Sequence, residues 1–349
     1  MTFTVVGWDN RSSSFWPRSS DHSDHFGKYQ SGIYMPQGPE FIRCDYPNPL
    51  PLLRERLTCM TEFFQDLVVQ LLIGISTGLI LALVASGLTL IFGIMDVVNF
   101  AHGDLFMLGA YMGWVFLSLT GNFWVALVAT AIVLFVFGLL MQTAALRPLI
   151  GRDPLTTILA TFGISLILQT MALWYWGPTF RKVDEAFTGH LTVFHLQFPI
   201  HRLAVGLLSL GLIGSLWAFM QRGRFGLWIR ATTQDRQMAL AMGIPVPWVY
   251  TVVFGIGTAM AAISGVMYAP ILGVDPAMGV GIILRAFIIV VVGGMGNLWG
   301  SVLAAIFIGV LEAIAVIWVS PSLAVICSFA MLIITLLFRP TGLFAPTPR

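Results

Sequence analysis

Three groups of residues in this 349-residue chain carry side chains able to do chemistry. The first is Gly93-Ile94-Met95-Asp96-Val97-Val98-Asn99-Phe100-Ala101-His102-Gly103-Asp104, which sets two aspartates, an asparagine and a histidine between two apolar stretches. Polar groups in that setting are costly unless paired or wetted. They suit two roles. In one, Asn99, His102 and Gly103 make a surface turn and Asp104 caps the following helix. In the other, a broken helix places Asn99, His102 and Asp104 along a solute path. His102 and Asp104 alone are too few to hold a metal. The second group is Glu312, the only carboxylate in the apolar run Ile306 to Val319. It is expected either on a solute path or buried opposite a hydroxyl or backbone partner. The third is the polar loop 221–248, in which Arg230, Asp235 and Arg236 precede Ala239, Gly243 and Pro245. Its alanine, leucine, methionine and glutamine content predicts a short helix, with Gly243 as its stop and Pro245 barring continuation. Such a segment exceeds what joining two spans needs, and is expected to dock on a partner.

Enzyme chemistry finds little support. Gly74-Ile75-Ser76-Thr77-Gly78 matches GxSxG but lies in an apolar run with no strand before it, so a nucleophile elbow is not expected there. The chain has no HExxH and no Walker A loop. Its two lysines, Lys28 and Lys182, do not sit in a phosphate-binding loop, so the chain is expected to have no ATPase site and no cofactor of its own. Cys44, Cys59 and Cys327 have no metal or redox spacing.

These residues must be positioned by apolar elements. Hydrophobic residues make up 57% of the chain and charged residues 10%, with a mean hydropathy of +0.87. Soluble domains carry about 25% charged residues, and a soluble core could not bury several uncharged runs of this length. The net charge of +2, without a basic run interleaved with aromatics, gives no basis for a nucleic-acid partner. The apolar stretches fall at 67–92, 105–120, 123–145, 155–176, 202–220, 249–270, 282–296, 298–319 and 322–338. An all-α, polytopic membrane protein of eight or nine transmembrane or re-entrant helices is therefore expected. The 282–296 stretch reaches only about 22 Å against a hydrocarbon core of about 30 Å, so 282–319 is either a short helix plus a full one or a broken hairpin. Gly293, Gly294 and Gly296, within Gly293-Gly294-Met295-Gly296-Asn297, suit a helix break or tight turn there. Gly74/Gly78, Gly109/Gly113 and Gly296/Gly300 have the spacing of close helix packing. Basic residues concentrate in loops 146–154 and 221–248, which predicts both on the cytoplasmic side, with the N-terminus of the membrane domain outside and the C-terminus inside.

Residues 1–59 differ sharply, being rich in serine and proline with no apolar run. They are expected to be a disordered tail or an upstream extension of the reading frame, leaving residues 60–349 as the membrane domain. The composition break and the six basic residues that would otherwise have to cross the membrane favour Met60 as initiator.

Several ordered motifs resemble the LivH-type permease of branched-chain amino acid ABC importers. They are Gly87-Leu88-Thr89-Leu90-Ile91-Phe92-Gly93 continuing through Asn99 to Asp104, the 230–244 loop, Val292 to Asn297, and Arg339-Pro340-Thr341-Gly342-Leu343. The resemblance implies a heteromeric importer in the bacterial inner membrane. Its partners would be a second homologous permease, two ATP-binding subunits that use the ATP, and a periplasmic solute-binding protein. It also implies that Arg230, Asp235, Arg236, Ala239 and Gly243 belong to the helix that couples to the ATPase. Related members carry branched-chain or other amino acids, urea or short amides, and a self-contained channel or secondary transporter is the rival from another class. An intact-mass measurement on the native protein is expected to show a chain beginning at Met60.

Overall fold

The computed structural model describes residues 53–187, 189–193, 196–318 and 321–344. Most of the stretch expected to be a tail or extension lies outside the described residues, and the first helix runs through Met60 without a break. The α-helices are α1 (Leu53–Met95), α2 (His102–Thr120), α3 (Phe123–Met141), α4 (Pro154–Trp176), α5 (Ile200–Arg222), α6 (Arg224–Gln234), α7 (Arg236–Ala241), α8 (Val246–Leu272), α9 (Met278–Gly293), α10 (Leu298–Trp318) and α11 (Pro321–Phe338). A polytopic helical membrane protein is what the apolar runs predict. Among the described residues, α1 to α5, α8 and α10 contain segments long and apolar enough to cross a bilayer, and α9 and the apolar part of α11 are shorter.

Helix limits follow local chemistry. Asn122 caps α3, its Oδ1 accepting from Trp124 N at 2.9 Å and Val125 N at 3.4 Å, while Gly121 ends α2 in the left-handed region. Pro154 begins α4, where its missing N–H costs nothing. The 282–319 region resolves as a short helix followed by a full one. α9, 16 residues long, spans about 24 Å, turns over at Gly294–Asn297, and lies against α10.

Helices α1 and α8 form the centre. Hydrocarbon offers neither water to the backbone nor a hydrophobic drive between helices, so association relies on close packing of small residues. A Cβ placed at Gly74 would lie 2.8 Å from Ala313 Cβ, and one at Gly78 would lie 2.8 Å from Ala305 O, so these glycines let α10 approach the α1 backbone. The GxSxG match is therefore a packing face; Ser76 Oγ donates to Leu72 O within its own helix at 2.8 Å. Gly109 does the same for α2 against Ala262 of α8. By contrast, α3 leaves Val125, Val128, Ile132, Val136 and Leu140 exposed at helical spacing, and α4 leaves Leu155, Leu159, Phe162 and Leu166 exposed. An apolar stripe of that length suits contact with lipid or with another membrane helix.

Two features depart from expectation. Strands β1 (His190–Val193) and β2 (Leu196–Pro199) form an antiparallel hairpin ahead of α5, pairing His190 with Pro199 and Val193 with Leu196. It marks one end of the bundle, where the Arg181 guanidinium lies 4.3 Å over the Trp114 ring and its backbone bridges to Val274. At the other end, the single helix expected in loop 221–248 is two, because Asp235 adopts an extended conformation (φ −153°, ψ 108°) that separates α6 from α7.

Replacing Gly78 by valine is expected to destabilise the protein by about 1–3 kcal/mol through overpacking of α1 against α10. Gly163→Ala, where nothing lies within 4 Å of the added carbon, is expected to be neutral or mildly stabilising. Thermal unfolding in detergent measures both.

Candidate functional site

In the Gly93–Asp104 region only Asp96 is exposed, and the rest lies within the bundle. Helix α1 ends as Asp96 N donates to Phe92 O at 2.9 Å, and Asp96 then takes φ +53° to reverse the chain. The segment that follows runs back into the bundle. His102 Nε2 lies 3.2 Å from Val84 O, about 16 Å back along α1 from its end. The connector therefore folds back into the bundle, and α2 starts against the last third of α1. Asn99 Oδ1 accepts from Ala101 N at 3.1 Å, closing a local turn, and Phe100 N donates to Thr161 Oγ1 of α4 at 3.3 Å.

Asn99 and His102 have no exposed surface and Asp104 has 1%. Asp104 does not cap α2; the cap position is Ala101, without a side-chain bond, and the carboxylate hydrogen-bonds instead toward Ser165 and Gln169 of α4. Gln169 Nε2 in turn donates to Ser165 Oγ at 3.0 Å. On the far side Asp104 Oδ1 lies where a Cβ on Gly279 would meet it at 2.7 Å, so the start of α9 leans directly on the acid. Asn99 Nδ2, His102 Nδ1 and Asp104 Oδ1 are all buried without a hydrogen-bond partner. Buried polar atoms left without a partner are costly inside a membrane domain. Among the described residues no group of His, Cys, Asp and Glu is arranged to hold a metal.

Glu312 forms a separate cluster. Its Oε1 accepts from Ser328 Oγ of α11 at 2.7 Å and lies 3.5 Å from Arg285 Nε of α9. Arg285 also hydrogen-bonds to Tyr268 of α8. The hydroxyl partner is one of the two expectations for Glu312; Arg285 was missed as its partner. The signal was a lone arginine within the apolar stretch 282–296. Helix α9 is the element the two clusters share, carrying Gly279 beside Asp104 and Arg285 beside Glu312.

The residues expected to dock on a partner divide by orientation. Arg230 is turned inward, its Nη1 donating to Met220 O near the end of α5. Ala239 is buried. Asp235 caps α7, its Oδ1 accepting from Met238 N at 2.9 Å, and Gly243 at φ +80° ends it, its N–H donating to Leu240 O. Arg236 is exposed, with its guanidinium 5.5 Å over the Tyr250 ring. The surface that α7 and its C-terminal turn present includes the apolar side chains of Met238, Leu240 and Met242, exposed by 59%, 48% and 75%. Sequence alone hid them, because apolar residues in a short loop helix look like an inward face.

Gly293, Gly294 and Gly296 serve a turn. Gly293 packs on Ser301 N, and Gly294 and Gly296 take φ +94° and +83°. Gly296 abuts Gly93 at the end of α1, while Leu343 N donates to Val292 O at 2.8 Å and Asn297 Nδ2 to Phe344 O at 2.7 Å. The C-terminal segment is thus strapped across the α9–α10 turn, at the α6–α7 end of the bundle.

Comparison with known proteins finds that residues 70–336 match the family described as "Branched-chain amino acid transport system / permease component". The high-affinity branched-chain amino acid transport system permease protein LivH of Escherichia coli K12 is 29% identical over 299 residues, 81% of this chain and 97% of its own length. BraD of Pseudomonas aeruginosa, a permease protein of the same description, is 28% identical over 78% of this chain and 94% of its own. A probable branched-chain amino acid transport permease protein LivH of Methanocaldococcus jannaschii is 27% identical over 76% and 88%.

Asp235→Ala removes the N-cap of a six-residue helix, a cost of about 1 kcal/mol. Limited proteolysis within 234–243 is expected to accelerate while the global unfolding temperature stays unchanged.

Proposed function

The chain belongs to the family of permease components of branched-chain amino acid transport systems, and on that premise we propose that it is the transmembrane subunit of an ABC importer that carries branched-chain amino acids across the inner membrane. The observation that carries this is the family match over residues 70–336. Energy comes from two ATP-binding partner subunits, and a second permease and a periplasmic solute-binding protein complete the assembly. This subunit has no ATPase site of its own.

The exposed α7 end docks in the ATPase. Met238, Leu240 and Met242 offer apolar contact and Arg236 a charge beside it. A push on α7 has a stiff route into the spans. Arg230 ties α6 to α5, and Phe225, Trp228 and Trp248 pack edge to face with centroids 5.3–6.4 Å apart, joining α6 to the start of α8. Nucleotide-driven closure can then move α5 and α8 as rigid bodies. With α6 and α7 in the cytoplasm, the C-terminal segment packed at the same end is cytoplasmic too. The solute passes along a route lined by Asn99, His102, Asp104 and Glu312, where orphaned polar atoms offer bonds to a polar solute.

Met242→Asp and Arg236→Glu alter exposed side chains, and each is expected to lower ATPase co-purification and vesicle uptake about ten-fold, some 1.4 kcal/mol of docking energy. Ala239→Pro should break α7 and uncouple ATP hydrolysis from uptake. Unchanged uptake in all three refutes docking at α7, and solute flux through the purified chain alone would identify a self-contained channel instead.

A further inference from the structure

We propose that Arg285 and Glu312 form a recognition site for a zwitterionic α-amino acid, Arg285 taking the carboxylate and Glu312 the ammonium group, and that the two close on each other when no solute is present. This rests on the permease reading and specifies the chemistry of its path. Arg285–Glu312 is the one ion pair among the described residues, and it sits within apolar helices. Placing opposite charges, half-buried, among apolar helices is a poor device for stability, since a well-packed apolar pair does as well or better. Ionisable residues inside a membrane domain are a sign of function.

The geometry is that of a pair made to be opened. Its single contact, 3.5 Å from Nε to Oε1, is not the two-pronged arrangement an arginine makes when it locks a carboxylate. Ser328 meets the same oxygen, so both known contacts leave Oε2 outside them. Both side chains keep access to their surroundings, at 23% for Arg285 and 12% for Glu312. The Tyr268 hydroxyl also hydrogen-bonds to the guanidinium, while Arg202 of α5, within electrostatic reach of that tyrosine, has Glu185 as its own acid. Tyr268, Arg285, Glu312 and Ser328 come from α8, α9, α10 and α11 respectively, so relative motion of these helices changes the separation of the charges.

Selectivity follows from electrostatics in a medium of low dielectric. Parting the pair strands two charges, and both must be met together. Urea or a short amide supplies neither charge. A lone anion or cation supplies one and leaves the other unpaired. An amino acid supplies both from one carbon, with no net charge carried, so it bridges the parted side chains and lowers the barrier to its own passage. The Arg285 fork suits the carboxylate, a match a lysine would not reproduce.

The test uses the complete importer, this chain with its companion subunits and binding protein, in proteoliposomes supplied with radiolabelled leucine or urea. The wild type is expected to accumulate leucine and not urea. Absence of leucine uptake refutes the amino-acid permease reading itself, before the pair is in question. With leucine uptake established, R285Q and E312Q are each expected to lose at least ten-fold of it while all subunits still co-purify. The exchanged pair R285E/E312R restores attraction but reverses polarity, and is expected to stay as poor as the single variants. Recovery to the wild-type rate is what a purely structural pair predicts, and it overturns the proposal. Should the neutral variants fail to assemble, R285K and E312D keep the charges and change their reach. Leucine uptake is then expected to fall several-fold at unchanged complex yield, and uptake at the wild-type rate overturns the proposal.

Discussion

Close approach of helix backbones along α1 is the contact on which the rest of the bundle depends. Gly74 and Gly78 admit α10, and Gly87 meets Gly257 of α8, so one helix fixes the depth and rotation of two others. The lipid supplies no hydrophobic drive for this association, which must come from packing and from the few polar contacts that bridge helices. Thr89 Oγ1 and Ser301 Oγ, 2.7 Å apart, provide one such contact between α1 and α10. Once α1, α8 and α10 are set, the positions of α2 and α9 follow, since Gly109 packs on Ala262 and Gly103 on Gly279.

That packing explains how polar groups survive in the interior. The start of α2 is driven against the last third of α1, and a first-turn histidine there finds a backbone carbonyl while neighbouring polar atoms find nothing. In a membrane domain such atoms are costly unless they are paired or wetted. Glu312 survives differently, by sharing one oxygen between a hydroxyl and a guanidinium from two other helices. Helix α9 stands between the two arrangements. It is too short to cross the bilayer straight, and it ends in a glycine turn that also receives the end of α1 and the C-terminal segment. The same helix carries Gly279 beside Asp104 and Arg285 beside Glu312.

Much of this was legible in the residues. The apolar runs matched the helices closely because run length and local caps set where a helix begins and ends, independently of its neighbours. Asn122, Pro154, Gly243 and Pro245 did so at α3, α4, α7 and α8. The hairpin at 190–199 escaped because its strands are four residues each, too short to show a period. The break at Asp235 escaped because a residue suited to capping a helix also tolerates a helix interior, and nothing local chooses between them.

The sequence by itself determined that this chain lies in a membrane, where its long apolar helices fall, and which family it resembles, since each depends on composition, run length or ordered motifs within short windows. Only the tertiary structure decided that Arg285 meets Glu312, that Arg230 faces inward while Met238, Leu240 and Met242 face outward, and that Asp104 bonds across to α4 rather than capping its own helix. Those outcomes depend on the rotation and depth of each helix. Rotation and depth are set by contacts between residues as far apart as Thr89 and Ser301, which no local window contains.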